Sequence, residues 1–508
     1  MTRLGSALGW LRRHPLAVLL PAQAVLLFTD LGRMPVWGDE HGTLQDASVP
    51  IAALGAQMHN NVHPALYYAL LHGWMSALCG GPCIIGARAL SAVLLLATTV
   101  VVDRCWLRGL DPRSRTWFLL LWTLSPALLL YGRMARYYSL LILLACLALY
   151  TGSRYARRAT LPSLLAYVVA ATALLYTHYL PGVAVVAGVS TAMAWRAAAR
   201  RRLAALWPLA LSLLCIGLAF APWLPHFSSS VELVAGRSAY HLVGPLVDTA
   251  LALAFAFVSF SIGESIPAWA LVAFLLLSPA LVLVLVRGLR EPPLWLGVVA
   301  PAALVGFVGG NHWVSYAFVA PRLLFLLPFY LLLVVRGARV QPRLGTVVCA
   351  GVAVLSLAGV VAYFEQTGFL NKAYLVPTET IADTIRAGSP DAAVTVILDH
   401  YSIDLSAVAG ELPQQTRIVF VADAASAAQA AGLARTDGPA LVWFAHNAHD
   451  ISPEGWNQRI EDAFAERFSL RRRQFVPYTT LDRWLMRLAG WAEPPRYAVE
   501  LLEMRATQ

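Results

Sequence analysis

Apolar residues fall in long blocks over the first 364 positions, separated by short polar bursts, and beyond that point the blocks stop. Many blocks approach the ~20 residues that a helix needs to cross the hydrocarbon core of a bilayer. They predict eleven spans, at about 16–31, 84–106, 116–131, 139–153, 161–177, 181–195, 203–222, 267–286, 294–310, 317–335 and 344–364. Two further apolar stretches, 63–80 and 246–262, read as helices lying in or dipping into one membrane face. After residue 364 the period changes. Helices are expected at 378–387, 424–435 and 453–468, and strands at 393–398, 417–421, 440–444 and 473–476. The expected fold class is mostly α: a polytopic transmembrane helical bundle over 1–364 with a C-terminal extracytoplasmic α/β domain over 365–508.

Composition sharpens this reading. Of 508 residues, 58% are hydrophobic and only 13% are charged, well outside the balance of a soluble domain. The formal charge of +10 comes from 37 arginines and the single lysine Lys372, against 28 acidic residues. Up to residue 364 there are 25 basic and 10 acidic residues; beyond it, 13 and 18. The basic excess therefore belongs to membrane loops, and no nucleic-acid partner is expected.

The arginines also set orientation, because basic loops stay in the cytoplasm. Six clusters (Arg3/Arg12/Arg13, Arg104 to Arg115, Arg154/Arg157/Arg158, Arg196/Arg200/Arg201/Arg202, Arg287/Arg290 and Arg336/Arg339/Arg343) hold 19 of the 25 arginines before residue 365. Counting 63–80 or 246–262 as a full span would strand a cluster outside, which is why both are set aside. The expected localisation is a bacterial-type inner membrane, multi-pass, with the N-terminus in the cytoplasm and the C-terminal domain outside. The basic start followed by an apolar run resembles a signal peptide, but no small-residue cleavage site follows, so an uncleaved first span fits better. None of the six cysteines shows metal-finger spacing. Cys79 and Cys83 bracket Gly80-Gly81-Pro82, either as a bridge in an oxidising compartment or, the more ordinary reading, as unpaired small residues.

With that orientation the outer segments collect a dense polar set. It comprises Trp37-Gly38-Asp39-Glu40-His41, Asn60-Asn61-Val62-His63-Pro64, Tyr131 to Tyr138, Thr177-His178-Tyr179, Glu264, Asn311-His312 and Pro321-Arg322. Ionisable groups at span mouths persist more readily where they line a water-filled cavity. Each also has a plain reading. Asp39 and Glu40 can be loop charges, and His63-Pro64 a helix start. The tyrosines can form an interfacial belt, and Arg133 and Arg136 can snorkel to headgroups. His178 can be a structural turn histidine. The combination on one side is what points to a polar site.

Four of these stretches together resemble the GT-C glycosyltransferases, in the branch of protein O-mannosyltransferases and lipid A aminoarabinose transferases. The stretches are Asp39-Glu40, His63-Pro-Ala-Leu-Tyr-Tyr68, Arg136-Tyr-Tyr-Ser-Leu-Leu141 and His178-Tyr179, with Pro321-Arg322-Leu-Leu-Phe as a late-span start. The resemblance covers about 15–340. The family's usual second proline is Ala65 here, and His41 follows the acidic pair. The resemblance implies sugar transfer, with inversion, from a polyprenyl-phosphate donor to an extracytoplasmic acceptor. Asp39 would be the catalytic carboxylate, with Glu40 beside it as the other candidate for general base. Arg133, Arg136 and Arg322 would hold the donor phosphate, since guanidinium groups grip phosphate with a fork of donors. His63, Tyr137, His178 and Tyr179 would contact sugar or phosphate, and the lipid tail would lie along apolar helix surfaces. Asp39, Glu40 and His63 carry ligand-type atoms for a divalent metal, but the spacing matches no established motif and the metal stays open.

Other classes are weighed against this. A transporter or flippase for lipid-linked sugars usually shows repeats and mid-membrane charges, neither evident here. A surface-polysaccharide ligase or polymerase would use a large late outer loop, whereas 311–316 is short. A scaffold presenting its outer domain leaves the polar set unexplained. The C-terminal region has no Gly-rich phosphate loop after a strand. Its catalytic-looking pair, Asp399-His400, is better read as a cap or loop, and the domain as acceptor recognition or partial cover. Sugar and acceptor (glycolipid, polysaccharide or protein) are not legible.

Overall fold

A computed structural model describes residues 14–59, 61–199, 206–235, 245–290, 320–389, 394–399, 403–435, 439–448, 455–488 and 491–507. The expected span 294–310, Asn311-His312 and His400 lie outside these residues. The chain divides into two compact units, one made of 1–31 and 44–368, the other of 32–43 and 369–508. Residues 32–43, the start of the first outer segment, thus group with the C-terminal residues, where the hydrophobic pattern alone drew one boundary at 364.

The first unit is helical. Among the described residues seven helices are long and apolar enough to cross a membrane: Ile84–Cys105, Tyr138–Arg157, Tyr179–Ala199, Trp207–Glu232, Ala268–Gly288, Ala320–Val340 and Pro342–Phe364. Three shorter apolar helices, Pro15–Phe28, Leu161–Leu175 and Val247–Ile262, join them. The two stretches set aside from the spans are both helical, at Leu66–Cys79 and Pro245–Ile262. The block expected as one span at 116–131 is two helices, Pro112–Leu124 and Pro126–Arg133. Pro126 has no N–H to continue a helix, and the Ser125 hydroxyl accepts the Leu128 N–H at 3.4 Å to start the next one.

Helix ends carry the expected basic residues. Arg104, Arg154/Arg157, Arg196, Arg287 and Arg339 stand in the last turns of their helices, where a cation meets the negative end of the helix dipole. Arg115 grips buried Asp103 with two bonds of 2.7 and 2.8 Å. Glycine permits the closest helix crossing. A Cβ at Gly337 would lie 1.8 Å from the Val284 carbonyl oxygen, so only hydrogen fits between Ala268–Gly288 and Leu327–Val340.

The second unit holds a five-stranded sheet: β1 (Thr395–Asp399), β2 (Arg417–Val421), β3 (Leu441–Asn447), β4 (Phe468–Pro477) and β5 (Tyr497–Ala506). The order is β2-β1-β3-β5-β4, with β1 parallel to β2 and β3, and β5 antiparallel to β3 and β4. One core face gathers Ile381, Val396, Leu398, Val408 and Trp443; the other gathers Ile397, Phe444, Ile460, Phe464 and Leu502. Helix Thr378–Ala387 lies where the pattern put it. The pattern passed over β5 and the helices Ile403–Glu411 and Thr480–Leu488. β5 is buried on both faces over its first eight residues, bar its half-buried start, and so lacks the alternation of a half-exposed strand.

Candidate functional site

In the helical unit, four chain segments that each precede or open a helix bring polar side chains together. His63 lies just before Leu66–Cys79, and its N–H donates to Asn61 Oδ1 at 2.9 Å. Arg136 and Tyr137 precede Tyr138–Arg157, with Tyr137 as its cap. His178 precedes Tyr179–Ala199, and Arg322 opens the late apolar helix Ala320–Val340. A helix N-terminus carries a partial positive charge, which adds to that of the cationic side chains.

The geometry is tight. The His63 ring lies 4.8 Å from Tyr137 and 5.5 Å from His178, and Tyr137 lies 5.2 Å from His178, centroid to centroid. Arg136 Nη2 sits 3.5 Å from His63 Nε2, and its guanidinium covers the Tyr137 ring at 5.3 Å. All four side chains are buried. Both ring nitrogens of His178 are buried without a hydrogen bond. Burial, then the charges of Arg322 and Arg136, pushes His178 down to about 3. Burial and Arg136 likewise hold His63 well below its ordinary value, with His178 and Arg322 adding to the effect. Two histidines forced neutral beside two arginines define a region of positive potential.

A second layer fixes this group. The Ser91 hydroxyl lies 3.1 Å from Tyr67 Oη and donates to the Arg136 carbonyl at 3.4 Å. Asn61 Nδ2 and Gln57 Nε2 donate to the Asp46 carboxylate at 2.6 and 2.8 Å. Burial raises Asp46 against those bonds and against the pull of Arg136. Asp46 and Ser91 were passed over in the sequence, Ser91 because it sits inside an apolar helix.

Other expected site residues stand in different surroundings. Arg133 Nη2 donates to the Thr29 carbonyl at 2.6 Å, and its guanidinium lies 5.3 Å from the rings of Tyr363 and Phe364, so it caps the end of Pro15–Phe28. Tyr179 Oη accepts the Trp223 indole N–H at 3.0 Å and packs on Phe220 and Phe227. Asp39 and Glu40 lie in the first turn of Gly38–Ser48, within the second unit. Glu40 is buried and accepts the Trp37 N–H at 3.2 Å, while the Asp39 carbonyl accepts the Thr43 hydroxyl at 2.8 Å. Glu264, one of the outer polar set, is buried and accepts the Tyr131 and Ser259 hydroxyls at 2.7 and 2.8 Å. Burial raises it to about 7.

Fold and cluster together define a multi-pass helical membrane protein with a buried, anion-receptive group of basic side chains. No family model matches the chain, and no curated relative matches it in sequence. Solved structures do match over nearly the whole length. ArnT from Cupriavidus metallidurans bound to undecaprenyl phosphate aligns over 97% of this chain and 98% of its own, with TM-score 0.50 and 14% identity. The apo ArnT gives 98% of each chain, TM-score 0.47 and 14% identity. The archaeal oligosaccharyltransferase AglB from Archaeoglobus fulgidus, in complex with an inhibitory peptide and a dolichol-phosphate, gives 97% and 89%, TM-score 0.48 and 11% identity. The fold is the GT-C fold that the short motifs led us to expect.

Proposed function

We propose that this protein is an integral-membrane glycosyltransferase that moves a sugar from a polyprenyl-phosphate donor to an extracytoplasmic acceptor. The observation that carries the reading is His178: a buried imidazole with both ring nitrogens unbonded, held neutral by burial and then by the charges of Arg322 and Arg136. A phosphate oxygen would accept the imidazole N–H that His178 leaves unbonded, with the charges of Arg136 and Arg322 beside it. The structural likeness to ArnT bound to undecaprenyl phosphate supports a lipid phosphate as that anion.

In this reading Arg136, Arg322, His63 and His178 bind the donor phosphate and stabilise its charge as the sugar leaves. Tyr137, stacked under Arg136, holds that guanidinium in place. Asp39 takes the proton of the attacking acceptor group, which is general-base catalysis worth about 10²–10⁴-fold in rate. Arg133 and Tyr179 support the scaffold through the contacts described above.

The test has two arms. Cells lacking the gene should accumulate one polyprenyl-phosphate sugar, identified by mass spectrometry of the lipid extract; an unchanged lipid profile overturns the glycosyltransferase reading. Asp39→Asn in properly inserted protein should lose transfer by about 10²–10⁴-fold while keeping donor binding. Near-wild-type turnover removes Asp39 from the mechanism.

A further inference from the structure

We propose that Cys79 and Cys83 are the two halves of a redox staple, a disulfide formed outside the cytoplasm that locks the helical hairpin behind the basic cluster. The proposal rests on the outward orientation adopted above. In the structure the two residues are thiols.

The geometry of the turn brings them together. Helix Leu66–Cys79 ends on Cys79, and Gly80, at φ 71°, reverses the chain in a left-handed conformation that glycine alone adopts at no steric cost. Cys83 then caps Ile84–Cys105, its sulfur accepting the Gly86 N–H at 3.3 Å. The Cys79 and Cys83 side chains hydrogen-bond each other. Both sulfurs converge on one point: a Cβ on residue 86 would lie 2.6 Å from Cys79 Sγ and 3.3 Å from Cys83 Sγ. Gly86 leaves the room they occupy. The Trp74 indole N–H donates to the Gly86 carbonyl at 2.9 Å, so the first helix is pinned to the second at the same place.

Reactivity is divided between the pair in the way an oxidation requires. Cys79 is exposed, within reach of an oxidant. Cys83 sits at a helix N-terminus, and the hydrogen bonds from Cys79 and the Gly86 N–H hold its thiol below the ordinary value, favouring the thiolate. An extracytoplasmic disulfide oxidant first exchanges with Cys79, giving a mixed disulfide and one oxidant thiol. The Cys83 thiolate then attacks Cys79 Sγ and expels the second oxidant thiolate, which takes up the proton Cys83 gave up. Two protein thiols and one oxidant disulfide become one protein disulfide and two oxidant thiols.

The consequence reaches the basic cluster. Tyr67, on the first helix of the hairpin, meets Ser91 on the second, and Ser91 holds the Arg136 carbonyl. A covalent bond at the turn stops the helices from slipping past each other and so keeps Arg136 in register.

The test uses the full chain in intact cells. A membrane-impermeant maleimide is applied before and after an impermeant reductant, and the peptide spanning both cysteines is mapped by mass spectrometry. The expected result is a peptide lighter by two hydrogens, unlabelled until reduction. Cys79→Ser should make Cys83 react without reductant, and reductant should lower the thermal midpoint of wild type but not of the Cys79→Ser, Cys83→Ser double variant. Labelling of both cysteines before reduction overturns the staple and leaves the orientation standing. Labelling only after the membrane is opened, without reductant, overturns both.

Discussion

Two regions of this molecule set histidine beside arginine, and they do so with opposite electrostatics. In the C-terminal sheet, His446 Nε2 lies 3.0 Å from Glu461, Arg472 reaches Glu461 at 2.6 Å and also pairs with Glu500, and Gln474 donates to Glu500 at 2.7 Å. The ligand atoms of His446, Glu461 and Glu500 lie within 4.8 Å of one another, close enough for a metal, but Arg472 is the cation that meets both carboxylates. The charges answer each other: although burial works against both, His446 and Arg472 pull Glu461 down, and the two glutamates push Arg472 up. In the helical unit, burial and then arginine push both histidines down, and neither ring nitrogen of His178 makes a hydrogen bond. A network whose charges cancel is a device for holding strands together. A cluster whose basic groups oppose one another costs stability, and such local conflict is a mark of a binding site rather than of a fold.

The comparison breaks most readily at Arg136. Arg136→Ala should weaken binding of undecaprenyl phosphate about 100-fold, the loss of roughly two charge-assisted hydrogen bonds. Arg136→Lys should recover part of the affinity, because a point charge replaces a fork. Equal binding by Arg136→Ala and wild type, measured with the lipid in detergent, would move the phosphate elsewhere.

Acid sharpens it next. A histidine held neutral in the fold binds fewer protons than it does unfolded. Below about pH 6.5, the ordinary histidine value, the unfolded state therefore gains protons and stability falls. His178, pushed down to about 3, should contribute a loss of up to about 1.4 kcal/mol per pH unit between those values. The thermal midpoint of wild type should fall through this window more steeply than that of His178→Asn. Parallel curves would mean that His178 is already charged in the folded protein.

How much of this was legible in the chain follows from what each residue had to signal. Helical spans were plain, because a bilayer demands long apolar runs and nothing else in the sequence competes. The convergence of His63, Arg136, Tyr137, His178 and Arg322 was legible only as a shared side, through short motifs at the starts of helices. Arg133 and Tyr179 shared that side yet meet Thr29 and Trp223, since a position at a helix end does not say which way a side chain turns. Asp46 and Ser91 gave no signal of their own; their roles come from partners 11 to 45 residues away. β5 was hidden because a strand buried on both faces looks like any apolar stretch.

The smallest effect tests the other half of the comparison. Arg472 ties β4 to Glu500 of β5 and to Glu461 of the helix Trp456–Ala465, but its side chain is 44% exposed, so water already screens much of the attraction. Arg472→Leu should therefore cost about 1 kcal/mol, less than for a fully buried pair, because Gln474 still donates to Glu500 and His446 stays 3.0 Å from Glu461. Its donor-lipid affinity should match wild type, because the network serves the sheet and not the phosphate. A variant that kept its stability but lost donor binding would reverse the assignment, making the C-terminal network the functional site and the basic cluster its scaffold.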